Sequence, residues 1–212
     1  MSDISINIIE STDVISQRIL KALLPEVTNY FQKAFNKCKN SIDSLISEAL
    51  TQSPEYQSIL SGKLKYEFGL PDAENRLSTI LSIIKNIQIK YNKPKISKNQ
   101  IEGSFILQMI PSDYSDLLSS AAAILDTEKG AQLEWLRWLL LFGDKTIIRD
   151  YVVKIGPSSR SRTGNAIMVS TIKGRWGVPP EFAGTKNNNW ITRAIDNASS
   201  GIEQLLLDSL KV

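Results

Sequence analysis

The chain has 212 residues, 42% hydrophobic and 22% charged, with 25 Lys and Arg against 22 Asp and Glu and no histidine. Length and composition suit one large globular domain or two small ones. Without imidazole there is no Ser-His or Cys-His nucleophile, no ordinary base near neutral pH and few zinc geometries.

Carboxylate and magnesium chemistry stays open, but no DxD or ExxE cluster stands beside a glycine-rich loop. The chain therefore reads as non-enzymatic, with no catalytic residue, cofactor or metal expected. The longest apolar run, Trp138 to Phe142, stops at Gly143-Asp144, far short of the roughly eighteen residues a membrane span needs. No membrane partner is expected. The opening MSDISINIIE has no basic start or long apolar stretch, so no secretory signal is expected. A single cysteine, Cys38, precludes an internal disulfide and predicts a reducing compartment. Its helical spacing from Ala34 predicts a buried small hydrophobe.

In chain order, Ile4, Ile6 and Ile8 alternate with polar residues and predict a short strand. Ser11, Thr12 and Asp13 offer caps for a helix whose apolar face runs from Leu20 through Phe31, Ala34, Phe35 and Cys38 to Ile42, Ile46 and Leu50. Pro25 either kinks this helix or divides it. Ser53-Pro54-Glu55 restarts a short helix that Gly62 closes. Leu70-Pro71-Asp72 opens a strongly periodic one, with Leu77, Ile80, Leu81, Ile84, Ile87 and Tyr91 on one face. Lys90 to Lys98 reads as a polar, basic break containing Pro94.

Residues 104–110 alternate as a strand, and Ser112 or Asp113 caps a turn through Leu117, Leu118 and the alanines. Thr127-Glu128 begins a helix apolar on most of its circumference, the expected centre of the core. Beyond Gly143 the pattern changes to period two. One strand is expected over Ile147 to Ile155, a second over Ala166 to Ile172, and a third over Trp176 to Val178 after a Lys173-Gly174-Arg175 turn. Asn187 to Asn189 cap a last helix with Ile191, Ile195, Ala198, Ile202, Leu206 and Leu210 on its inner face. The fold class is α+β: long N-terminal helices packed on a small antiparallel sheet of three to five strands, with a closing C-terminal helix. Residues 1–143 are expected to form the mainly helical body with one or two short strands. Residues 144–212 supply the hairpin, basic loops and C-terminal helix, together one compact domain.

Charge is distributed unevenly. Residues 154–193 hold seven basic side chains and one acid, Glu181, so this segment carries +6 in a chain of net +3. The remainder is net acidic by three. Arg160 and Arg162 stand in a small-residue loop, where guanidinium groups bind carboxylates or phosphates. Arg175, Trp176, Pro179, Pro180 and Phe182 form a stiff arm with interface-prone side chains. Lys186 and Arg193 complete the basic set. Trp176 and Phe182 folding back on the core is an equal alternative, and Trp190 is expected in the core.

The segments SRSRTGNAIMV and WGVPPEFAGTKNNNWITRAID resemble the C-terminal half of bacteriophage neck and tail-completion proteins of the minor tail protein Z kind. The matching positions are Arg162-Thr163-Gly164, Glu181-Phe182-Ala183-Gly184-Thr185 and Arg193-Ala194, with Ala183 an insertion in the shortest form of the turn. SPEYQSILSGKLKYEFGLPD, residues 53–72, is similar to phage virion proteins of the same sort. The resemblance implies a non-enzymatic head–tail joining subunit, made in the host cytoplasm and located in the virion neck or tail. It implies self-assembly into a ring, commonly of six copies, against neighbouring neck, connector or tail proteins. Within such a ring Arg160, Arg162 and Arg175 face either a protein neighbour or packaged DNA in the lumen. The rival readings are a sequence-independent DNA-binding protein using residues 154–193 and, more weakly, a magnesium-dependent nuclease for which no carboxylate stands out.

Overall fold

Ser11 begins the first helix by accepting the Val14 amide on its Oγ at 3.4 Å. A computed structural model describes residues 10–84, 88–108, 114–127 and 130–211; the expected strand at Ile4 to Ile8 lies outside them. The first helix, α1 (Thr12–Gln52), continues through Pro25, so the proline does not divide it. It is followed by α2 (Pro54–Ser61), α3 (Lys63–Phe68) and α4 (Ala73–Ile84). Next come β1 (Gln88–Ser97), β2 (Gln100–Gln108), α5 (Ser115–Leu118) and a 3-10 turn at Ala121–Ala123. The chain ends with β3 (Leu125–Asp126), β4 (Gln132–Leu133), α6 (Trp135–Leu141), β5 (Thr146–Ile155), β6 (Ala166–Gly177) and α7 (Trp190–Ser209). The architecture is α+β with long terminal helices. Its strands form three separate two-stranded antiparallel ladders among the described residues, rather than one sheet of three to five.

Two compact units emerge, one of Met1–Ser41, Gln88–Gln108 and Gln204–Val212, the other of Ile42–Ile87 and Met109–Glu203. The boundary drawn from sequence at 143/144 falls inside the second unit. In the first, β1 and β2 pair from Gln88↔Gln108 to Ser97↔Gln100 around a turn at Lys98-Asn99. Gln17 fixes that turn by donating to the Lys98 carbonyl at 2.6 Å. Sequence reading puts Tyr91 on a helix face and makes Lys90–Lys98 a break, whereas Tyr91 and Lys90–Ser97 belong to a strand and Lys98 to its turn. The reason is a bulge. Asn92 pairs with Ser104 and Lys95 with Glu102, leaving Lys93 and Pro94 opposite Gly103. Proline is tolerated in a strand at such an irregularity, and a Cβ at Gly103 would come within 3.0 Å of Pro94 and 3.3 Å of Phe31. Phe31, Phe35, Tyr91 and Phe105 then cluster, with ring centroids 5.1 Å apart for Phe35–Tyr91 and 5.6 Å for Phe31–Phe105. Lys37 donates to the Asp208 carbonyl at 2.9 Å, and Tyr30 to that of Leu210, tying down the chain's last turn.

In the second unit, α6 is the apolar centre that its sequence promised. Trp135, Leu136, Leu139 and Leu140 are all fully buried. The helix starts at Trp135 and not at Thr127-Glu128. Thr127 exchanges backbone hydrogen bonds with Ala131 and Gly130, its Oγ1 accepts the Ala131 amide at 3.0 Å, and Gly130 takes φ 77°. Thr127, one of the two residues expected to nucleate helix, is thus bonded to the residues just before β4 instead. Phe68 stacks against Trp135 at 5.8 Å and meets Trp176 edge-on at 6.3 Å. Gly69, left-handed at φ 65°, terminates α3, a helix not anticipated from sequence.

Ser53 acts as more than a cap. Its Oγ accepts the Tyr56 amide at 3.3 Å and the Trp190 indole N–H at 2.7 Å, and donates to the Leu50 carbonyl at 2.6 Å. One hydroxyl thus joins α1, α2 and α7, and Trp190 is core as expected. Cys38 is buried too, and desolvation raises its thiol pKa.

Candidate functional site

The site begins with the β5–β6 hairpin. Its strands pair from Thr146↔Gly177 to Ile155↔Ala166, and Trp176 continues β6 instead of opening a third strand. The expected turn at Lys173-Gly174-Arg175 is a bulge. Arg149 pairs with Arg175 and Tyr151 with Ser170, so four residues, Thr171 to Gly174, face the single Asp150. Asp150 accepts the Lys173 amide at 3.2 Å, and both residues take left-handed backbone, φ 61° and 63°. That capture makes the chain swell outward where the sequence suggested reversal. Gly174 is required there, because a Cβ would collide with the Thr171 methyl.

The bulge projects Ile172 into solvent with 91% of its surface exposed. Ile155, Met168 and Ile148 are also exposed, at 59%, 43% and 37%. Around them stand Arg149, Lys154, Arg160, Arg162, Lys173 and Arg175, against one acid, Asp150. Among the described residues none of these six cations forms an ion pair. Arg149 and Arg175 lie directly opposite each other across the ladder, an arrangement that is unfavourable without an anionic neighbour. Among the described residues neither outer edge of the ladder is paired, and natural proteins rarely leave long apolar edges uncovered.

One face of the hairpin borders an open groove of about 800 Å³, lined by Phe68, Leu133, Tyr151, Val153, Met168 and Trp176, among others. Arg160 and Arg162 stand at its margin. Arg162 lies against Gly69 and donates to the Asp126 carbonyl at 3.4 Å. The loop bearing them is ordered by its own hydrogen bonds: Ser161 Oγ accepts the Ala166 amide at 3.0 Å, and the Ser158 amide donates to the Gly164 carbonyl at 3.0 Å.

The proposed arm at residues 174–186 is folded onto the body. Trp176, Val178 and Pro179 are buried, and Phe182 is half-buried. The Trp176 indole donates to Glu67 Oε2 at 2.9 Å. Burial raises the Glu67 pKa, opposed by that hydrogen bond and by the Lys63 charge. The Gly143 amide donates to the Gly184 carbonyl at 3.0 Å, and a Cβ on either glycine would strike backbone. Arg193 is committed inward: its guanidinium donates twice to Glu55 Oε1, at 2.6 and 2.9 Å, and reaches Asn188 Oδ1 at 2.8 Å. Of the nine residues singled out from sequence, Arg160, Arg162, Arg175, Pro180 and Lys186 are exposed. Trp176, Pro179 and Arg193 serve the interior of the second unit, because aromatic, proline and arginine residues are as useful in a core anchor as in an interface.

Sequence reasoning anticipated Asn189 as a cap but missed Arg76 as an organiser. Asn189, fully buried, caps α7 by accepting the Ile191 and Thr192 amides and donates to the Thr185 carbonyl and to Tyr114. Arg76 donates to the carbonyls of Ala121, Ala122 and Ile124 while paired with Asp72 at 2.7 Å. Burial works against ionised Asp72, yet the Arg76 hydrogen bond and charge hold its pKa below the ordinary value. The run of asparagines signalled the cap; nothing local signalled Arg76. No group of three or more His, Cys, Asp or Glu side chains able to hold a metal occurs among the described residues, and no described helix is long and apolar enough to cross a membrane. No protein-family model, curated protein or solved structure matches this chain.

Proposed function

We propose that the chain is a non-enzymatic structural subunit of a tailed-phage virion, placed at the head–tail junction and assembled as a ring. The observation that carries this reading is the β5–β6 hairpin, which, among the described residues, combines unpaired cations with exposed large apolar side chains on a ladder open at both edges. Such a surface is stabilised by covering it with another protein: the apolar atoms leave water and the arginines gain carboxylates. The likeness of Arg162-Thr163-Gly164, Glu181 to Thr185 and Arg193-Ala194 to neck and tail-completion proteins supports the virion assignment. In this chain the first of these is the hairpin loop, the second the turn held against α6, and the third the start of α7.

The second reading, sequence-independent DNA binding, is favoured by a different observation. The β1–β2 hairpin presents Lys90, Lys93, Lys95 and Lys98 exposed to solvent, the pattern of a backbone-contacting surface. Exposed Ile172, Ile155 and Met168 on the other hairpin argue for protein there, since phosphates offer nothing to an isoleucine.

Complementation of a phage lacking this gene product tests the reading. An Arg160→Glu/Arg175→Glu variant changes only exposed side chains. Filled heads and finished tails are expected to accumulate unjoined, counted by electron microscopy. Joined, infectious particles at wild-type yield would overturn it. DNA retardation by the isolated chain at low salt, lost steeply as salt rises, would move the assignment to the second reading.

A further inference from the structure

We infer that the β5–β6 bulge is the knob of a head-to-tail contact whose socket is the α1–α7 seam of a second copy of this chain. The inference rests on the ring reading above and names the partner of its hairpin surface. The knob is Ile172, held out by the Asp150–Lys173 hydrogen bond and flanked by Lys173 and Arg175. A partner for it needs an apolar depression edged with carboxylates, and this chain carries one in the same unit.

α1 and α7 run antiparallel there. Trp190 bonds to Ser53, and Gly201 lies against Leu45, where a Cβ would come to 3.3 Å. Because Ala49, Ala198 and Gly201 are small, the helices leave a shallow depression of about 400 Å³, with Leu45 and Glu48 also in its wall. Residues 42–53 and 194–203 contain four acids, Asp43, Glu48, Asp196 and Glu203, and no Lys or Arg; all four acids are exposed. None of the four forms an ion pair among the described residues. The hairpin residues 146–177 are the converse, six bases against one acid. The two surfaces are thus complementary in charge and in relief, and no ion pair joins them within one copy. Because they differ, their contact is heterologous, which propagates until a ring closes. Seating Ile172 removes an apolar side chain from water, and Lys173 and Arg175 meet Glu48 and Asp196.

Sedimentation velocity on the full-length chain tests this at rising concentration and at two salt levels. Association is expected, weakening as salt screens the charges. Ile172→Asp alters a solvent-exposed atom group and is expected to weaken association about tenfold or more. Glu48→Lys/Asp196→Lys, a second surface variant, is expected to do the same. Each variant keeps one intact surface, so mixing the two should yield a one-to-one dimer and nothing larger. Circular dichroism matching the unaltered chain confirms that both variants fold. A chain monomeric at all concentrations, unchanged association in Ile172→Asp, or a mixture that stays monomeric would overturn the inference. The head–tail joining assay decides the virion reading independently of these outcomes.

Discussion

The two long hairpins share length, antiparallel pairing and a bulge, yet they solve opposite problems. In β1–β2 the bulge absorbs Pro94 and lets Gly103 admit Phe31, so Tyr91 and Phe105 join an aromatic cluster. Its exposed residues are mostly polar and include Lys90, Lys93, Lys95 and Lys98, the side chains that protect an edge from unwanted pairing, with Ile106 the one exposed large apolar side chain among the described residues. In β5–β6 the bulge instead pushes Ile172 outward, and exposed isoleucine and methionine accompany the cations. Position on a bulge therefore does not tell whether a hairpin is finished within its unit. The side chains left in water do.

Substitutions can break or sharpen this contrast. The largest effect is expected at Trp176, the buried end of β6. Trp176→Ala should cost about 3–5 kcal/mol of unfolding free energy in chemical denaturation, because it empties a core site and strands Glu67. A cost below about 1 kcal/mol would mean that β6 is not anchored there. Next, Arg193→Ala leaves Glu55 buried without its cation and should cost about 3 kcal/mol, measured the same way. Phe105→Ala in the other hairpin should cost about 2 kcal/mol, since its ring is only partly buried; amide exchange should rise in β1 and β2.

Smaller is the pH effect of Glu67. Its folded pKa lies above the ordinary 4.5, so the folded state holds the proton more tightly. The stability this gives is present below 4.5 and is lost as pH rises through the folded value. Glu67→Gln keeps an acceptor for the Trp176 indole and removes the titration, so the difference between variant and unaltered chain should grow in the variant's favour from pH 4 to 7. The smallest stability change is expected at Ile172. Ile172→Asp should change the unfolding free energy by no more than about 0.5 kcal/mol, while it disrupts self-association. A large stability loss there would show the bulge to be a folding element and erase the contrast between the hairpins.

Local signals decided much of the helical frame. Ser53-Pro54-Glu55, the face from Ala34 to Leu50, the Leu77-Ile80-Ile84 stripe and the Asn187–Asn189 cap were legible because capping and 3.6-residue periodicity act within one or two turns of chain. The clustering of charge in residues 154–193 was equally visible. Which of those charges point outward was not. Arg193 is drawn in by Glu55, 138 residues away, and Trp176 by Glu67, 109 away, and no local pattern encodes such pairings. The same limit explains Lys90–Lys98 and Lys173–Arg175. A proline or a Lys-Gly-Arg triplet marks a departure from regular pairing, but the opposite strand determines whether the chain ends, turns or bulges. Composition and periodicity determined where α1, α2, α4 and α7 start and where positive charge gathers. Long-range packing and hydrogen bonding alone decided which basic and aromatic residues became interior anchors and which stayed free to meet another molecule.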